Sequence, residues 1–146
     1  MRFDGELIKD IGNLLGAVQG LQDEIAENEH VRVSEIPIWF RGTPDKQHFP
    51  EPSIARPPYT IDHEDSLIKS FKQNALQFVE IRPTSEWEWM FLMRHHQVPT
   101  RLLDWTENPL VALYFATEKQ QEDTEPVADG ALWVLYPTLL NQAAGI

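Results

Sequence analysis

The densest group of reactive side chains in this sequence is Pro99-Thr100-Arg101-Leu102-Leu103-Asp104-Trp105-Thr106. One carboxylate, one indole and two hydroxyls fall between Thr100 and Thr106. A few polar groups beside apolar ones, at a corner where an extended segment turns into a helix, suit a small-molecule pocket. In an extended run alternate side chains share a face. Thr100, Leu102 and Asp104 are therefore expected on one side, with Arg101 and Leu103 on the other. A structural account stands beside this one: Asp104 and Thr106 can cap backbone amides, and Trp105 can belong to the core.

A second group is Phe40-Arg41-Gly42. Arg41 ends an apolar stretch and precedes glycine, which lets a ligand or a backbone come close. A guanidinium at a strand end offers a rigid fork of donors matched to phosphate or carboxylate. The alternative is a structural ion pair with an acidic side chain.

Other familiar chemistries lack their signatures. The sequence has no Gly-x-Ser-x-Gly elbow, no phosphate loop ending in Gly-Lys-Ser/Thr and no His-Glu-x-x-His. It has 0 cysteines, which excludes disulfides, thiolate nucleophiles and Cys-based metal centres. His95 and His96 are neighbours, and neighbours on a helix point about a third of a turn apart. They are poorly placed to share one metal, so no metal site is expected. One histidine is expected to face the pocket and the other the solvent.

These groups need elements to position them. Residues 6–29 read as a helix, because Leu7, Ile11, Leu14, Val18, Leu21 and Ile25 form one apolar stripe. Gly12, Gly16 and Gly20 form a second stripe, which implies either close packing against another element or a weak, broken helix. The helix either covers the core from the periphery or pairs with a partner as a dimer helix. Ile36 to Phe40 reads as a short strand leading into Arg41-Gly42. Five prolines between Thr43 and Tyr59 make that stretch a structured loop or arm.

A helix is expected over Asp62 to Glu80, burying Leu67, Ile68, Phe71, Ala75, Phe78 and Val79. Ser85 with Glu88 forms a capping box for the next helix, with Trp87, Met90, Phe91 and Leu92 as its apolar side. Val98-Pro99 ends it. Thr100 to Asp104 is expected to be extended. Asn108-Pro109 starts a buried apolar helix over Leu110 to Thr117. Glu118 to Val127 reads as a polar loop, and Asp129-Gly130 turns into a strand over Ala131 to Tyr136. This order defines a mixed α+β domain with an N-terminal helix.

The formal net charge over 146 residues is -11. Charge alone will not draw such a chain to bulk nucleic acid or to an anionic membrane. Acid concentrates at Glu24 to Glu35 and Glu118 to Asp129, whereas Arg41, Arg56, Arg82, Arg94 and Arg101 lie in the motif-bearing region. That contrast suits a small anionic ligand better than a polyanion. No apolar run approaches a membrane span, and the first residues lack a signal-peptide pattern. The expected location is cytoplasmic, with no membrane partner.

At these residues the chain resembles the FRG domain family, named for Phe-Arg-Gly, here Phe40-Arg41-Gly42. The loop Phe49 to Arg56 is similar to the family's next block, and Glu64 with Leu67, Ile68 and Phe71 to its helix. Met93 to Thr106 looks like its hallmark; Asn108 to Ala116 and Asp129 to Trp133 complete the match. It covers about residues 38–137. Thr43, Arg94 and Gln97 depart from it: the family usually has glutamine, glutamine and glycine there. The resemblance divides the chain into an N-terminal helical segment, 1–34, and an FRG domain, 35–146. The family pattern continues past its last strand, which implies a C-terminally incomplete domain.

The family's layout is similar to that of ADP-ribosyltransferases, although the late catalytic glutamate of those enzymes has no visible match here. The resemblance implies an enzyme that cleaves NAD, of the toxin or phage-defence kind. Arg41, Thr100, Asp104 and Thr106 would be catalytic, and Phe40, Gly42, His95, Arg101 and Trp105 would contact NAD. The alternative is a non-catalytic module binding a nucleotide or a protein. The expected partners are a small-molecule nucleotide and a protein or second copy on the N-terminal helix.

Overall fold

The computed structural model describes residues 7–29, 37–118 and 129–145. Among them the order is α1 (Ile11–Glu29), β1 (Trp39–Thr43), α2 (Glu64–Ala75), α3 (Glu86–His95), α4 (Pro109–Thr117), β2 (Ala131–Leu135) and α5 (Pro137–Ala144). The fold is mixed α+β, with an N-terminal helix and a two-stranded antiparallel sheet. Two compact units divide it. One joins residues up to Gln47 with those from Trp105 onward; the other runs from His48 to Asp104. The expected strand start at Ile36 and the polar loop over residues 119–127 lie outside the described residues. No helix among the described residues is long and apolar enough to cross a membrane.

In the first unit β1 and β2 pair as Trp39 with Leu135, Phe40 with Val134, Arg41 with Trp133, Gly42 with Leu132 and Thr43 with Ala131. The expectation that the strand leads into Arg41-Gly42 needs correction, because the strand runs through both. Side-chain alternation gives the sheet two faces. Phe40, Leu132 and Val134 join Ile25, Ile38 and Ala112 in one core. Trp39, Arg41, Thr43, Ala131, Trp133 and Leu135 therefore share the other face.

Helix α4 starts as expected: Asn108 Oδ1 accepts from the Leu110 amide at 2.9 Å, with Pro109 in the first turn. It is not the buried helix its composition suggests. Ala112 and Ala116 are buried, but Leu110, Val111, Tyr114 and Phe115 are exposed. The reason is how it docks. A β-carbon on Gly42 would lie 1.9 Å from the Ala112 carbonyl oxygen, and one on Gly130 2.1 Å from that of Ala116. The helix touches backbone through two small residues one turn apart, so only a narrow stripe is covered.

Helix α1 begins at Ile11 rather than at residue 6. Asp10 Oδ1 accepts from the Asn13 amide at 2.8 Å, a side-chain cap that sets the start and leaves Leu7 outside the helix and exposed. Leu14 and Ile25 are buried, and Val18 packs on the core. A β-carbon on Gly16 or Gly20 would meet nothing within 4 Å. The close-packing account of the glycine stripe therefore fails among the described residues at these two positions.

In the second unit Ile68, Met90 and Met93 form a core with Leu67, Phe71, Val98 and Leu102 around it. Helix α2 stops at Ala75, five residues short of the expected Glu80. The Phe78 amide turns back to Ala75 O at 2.9 Å, closing a tight turn that leaves Phe78 exposed. Helix α3 has its expected capping box, with Ser85 Oγ accepting from the Glu88 amide at 3.2 Å. Its buried side is Trp89, Met90 and Met93, while Trp87 and Phe91 are exposed. Apolar residues surround this short helix, so the choice of face falls to its neighbour Ile68 rather than to periodicity.

The end of α3 is a complete Schellman motif. The Val98 amide donates to Met93 O at 2.9 Å and the Gln97 amide to Arg94 O at 3.1 Å. Gln97 takes φ 60, a left-handed conformation that favours glycine. The departure from the family's glycine at this position thus puts a strained side chain where the backbone turns.

Candidate functional site

The sheet face turned away from α4 carries Arg41, whereas Gly42 faces the helix. Arg41 is half-buried, its Nε fully so. It stands directly across from Trp133, where side chains on the same face come within about 5 Å at Cβ. Trp133 is itself oriented: its indole Nε1 donates to Thr43 Oγ1 at 3.0 Å. Thr43 is buried, so this hydrogen bond is shielded from water.

The free edge of β1 is met by Thr106. The Phe40 amide donates to Thr106 O at 2.7 Å and the Thr106 amide to Phe40 O at 2.9 Å, an antiparallel bridge. That register, carried one residue further, sets Trp105 beside Arg41. Arg41 is thus flanked by two tryptophan positions, one on each side of its strand. Thr106 Oγ1 accepts from the Asn108 amide at 3.1 Å, the capping role considered for it. Phe40 is buried in the core on the opposite face, and Gly42 is required by the α4 backbone.

The remaining candidate residues lie in the second unit. Thr100 is fully buried; its amide donates to Ser53 Oγ at 3.1 Å and its hydroxyl accepts from the Leu102 amide at 3.3 Å. Arg101 is exposed and is tied to Glu64. Its amide donates to Glu64 Oε1 at 3.0 Å, its Nε to Oε2 at 2.5 Å, and its Nη2 also pairs with Oε2. Glu64 is only 2% exposed. The Arg101 guanidinium holds its carboxyl below the usual carboxylate range, against burial, which pushes it up.

Asp104 is exposed and is gripped by Arg94, through Nε at 3.0 Å and through Nη2. The chain bends at Arg101, so the expected alternation of Thr100 and Asp104 on one face does not hold. Both His95 and His96 are exposed, their rings edge to face at 5.3 Å. Among the described residues no cluster of metal-ligating side chains occurs.

Sequence reasoning passed over Trp133, Thr43 and Ser53 as site residues, and used Glu64 only for its likeness to a family helix. The Trp133–Thr43 contact spans 90 positions and the Ser53–Thr100 contact 47. Only the register of paired strands could have revealed the first.

Together these features define a small α+β domain whose Arg-Gly strand is backed by an alanine-striped helix and faced by tryptophan. The FRG domain profile matches residues 37–125, more than half of the chain. The chain belongs to the FRG domain family. No curated protein and no solved structure gives a significant match.

Proposed function

We propose that the domain binds an NAD-type dinucleotide on the Arg41 face of β1 and cleaves its nicotinamide–ribose bond in the manner of an ADP-ribosyltransferase. The observation that carries this reading is the placement of Arg41 between Trp133 and the Trp105 position. A half-buried guanidinium suits a diphosphate or ribose, and a flanking indole suits a planar ring. Nicotinamide leaves with the bonding electron pair, and the ribose carbon develops oxocarbenium-like charge. An acceptor nucleophile, water or a hydroxyl, amine or guanidine of a target, forms the new bond at that carbon and gives up its proton to solvent. Holding the two halves of the dinucleotide apart in a fixed pose supplies positioning, and fixed dipoles offset the charge. Consumption of NAD would suit a toxin or phage-defence effector in a cytoplasmic setting.

A second reading, binding without turnover, is favoured by a specific observation. The Thr106 and Thr100 hydroxyls accept from backbone amides, and Asp104 is held by Arg94. Groups expected to act on substrate thus have structural roles as well. Incubation with NAD labelled in the nicotinamide ring separates the two. Release of free nicotinamide that disappears in Arg41→Ala supports the enzyme. Arg41-dependent binding with no release supports the module. No binding at all sinks both.

A further inference from the structure

The Trp133–Thr43 hydrogen bond gives the proposed site a component that the motif residues do not contain. An exposed tryptophan samples several rotamers, and ordering such a side chain costs free energy on binding. Here the indole is already fixed. Its Nε1 donates to a buried hydroxyl at 3.0 Å, two positions along β1 from Arg41. The pairing of Arg41 with Trp133 keeps the ring beside the guanidinium, on the face opposite α4. Trp133 remains only partly buried.

We propose that Trp133, preset by Thr43, is the stacking surface for the heteroaromatic ring of a phosphate-bearing ligand, so that the site selects nucleotides over simple phosphates. The inference rests on the reading of Arg41 as the phosphate-holding group. Its chemistry is additive: the guanidinium meets the phosphate, and the indole face meets the ring attached to it. Thr43 does not touch ligand and is a positioning residue. Its β-branched side chain is short enough to be buried under the indole and to present one acceptor to it.

Calorimetric titration of the whole chain with NAD and, separately, with inorganic pyrophosphate tests this. Stacking of one base is worth about 1–3 kcal/mol, which corresponds to roughly 5- to 150-fold in affinity. Trp133→Leu is expected to weaken NAD binding by about tenfold or more and to leave pyrophosphate binding unchanged. Trp133→Phe keeps an aromatic face and should retain most of the NAD affinity. Thr43→Val keeps the shape but removes the acceptor, and should weaken NAD severalfold with pyrophosphate again unaffected. A purely structural role would lower both ligands together, and that result overturns the inference. So does unchanged NAD affinity in Trp133→Leu. If Trp133→Leu does not fold, Trp133→Phe and Thr43→Val decide: equal effects on the two ligands, or none in Thr43→Val, overturn the proposal. Wild-type protein that binds pyrophosphate and NAD alike also overturns it, while leaving Arg41 as a phosphate site. Wild-type protein that binds neither overturns the reading beneath it.

Discussion

In the unit that carries the sheet, helix α4 meets β1 through Ala112 and Ala116, against a strand residue that has no side chain. In the unit that carries α2 and α3, the run from Thr100 to Leu102 meets α2 through one long carboxylate, Glu64, buried to 2% exposure. The first junction is a close approach of backbones, so it tolerates no added atom. The second is a charged hydrogen-bond network, so it tolerates added volume better than lost polarity. The two units should therefore fail under opposite substitutions.

The largest effect is expected at Gly42. In Gly42→Ala the new methyl carbon would sit 1.9 Å from the Ala112 carbonyl oxygen and 2.6 Å from the Ala116 amide nitrogen. Neither atom is the mobile end of a side chain, so strand and helix must part. A loss of roughly 3 kcal/mol or more is expected, near the upper end for overpacking. The same change at Gly16, where a β-carbon meets nothing within 4 Å, should stabilise α1 by about 1 kcal/mol. Urea denaturation followed by circular dichroism checks both. A mild Gly42→Ala would mean that α4 does not depend on this approach.

Next in size is Glu64. Its carboxylate accepts from the Arg101 amide and guanidinium, and its carboxyl is held below the usual range. Arg101 remains exposed, which discounts the Coulombic part. Glu64→Gln should cost about 2 kcal/mol, the value of a charged hydrogen bond lost from a buried site. The sign with pH follows from the depressed value. The unfolded carboxyl binds its proton at higher pH than the folded one, so this stabilisation is present above about pH 4.3 and is lost as pH falls through the folded value. A stability profile from pH 7 downward should fall less steeply in Glu64→Gln below about pH 4.3. An unchanged slope would remove Glu64 from the acid response.

This contrast also separates what the sequence disclosed from what it did not. Ser85 with Glu88 and Asn108 with Pro109 were legible because each cap contacts residues two to four positions away. The short strand after Asp129-Gly130 was legible for the same local reason. Pairing of Arg41 with Trp133 was not, because strand partners are chosen by folding and not by neighbours. The buried side of α3 was read correctly at Met90 but not at Trp87 and Phe91, because apolar residues are spread around the helix and its contact with Ile68 on α2 decides among them. Helix α4 was misjudged in the other direction: its apolar composition hid a docking stripe made of two alanines. Arg41 was expected at a strand end but lies within β1, and the glycine beside it serves α4.

A smaller change, of opposite sign, is expected at Gln97. Its φ of 60 costs a side-chain-bearing residue about 1 kcal/mol relative to glycine. Gln97→Gly keeps both Schellman hydrogen bonds, since these belong to backbone. The helical unit should gain about 1 kcal/mol, partly offset by the greater freedom of glycine in the unfolded chain. Thermal denaturation reads the gain, and a lower midpoint would show that the Gln97 side chain contributes contacts that outweigh the strain.

The smallest effect on stability is expected where the sequence placed most chemical weight. Asp104 pairs with Arg94, but its side chain is 65% exposed, so water screens the attraction. Asp104→Asn should change stability by no more than about 0.5 kcal/mol. Thr100→Val, by contrast, removes a fully buried hydroxyl that accepts from the Leu102 amide, and should cost about 1 kcal/mol. Two residues of one hallmark run would then differ because one sits inside the helical unit and the other at its surface. An Asp104→Asn protein as stable as wild type yet altered in nicotinamide release would keep Asp104 as a chemical group. Equal loss of stability in the two variants would instead make the whole run scaffold, with Asp104 acting through the fold as Thr100 does.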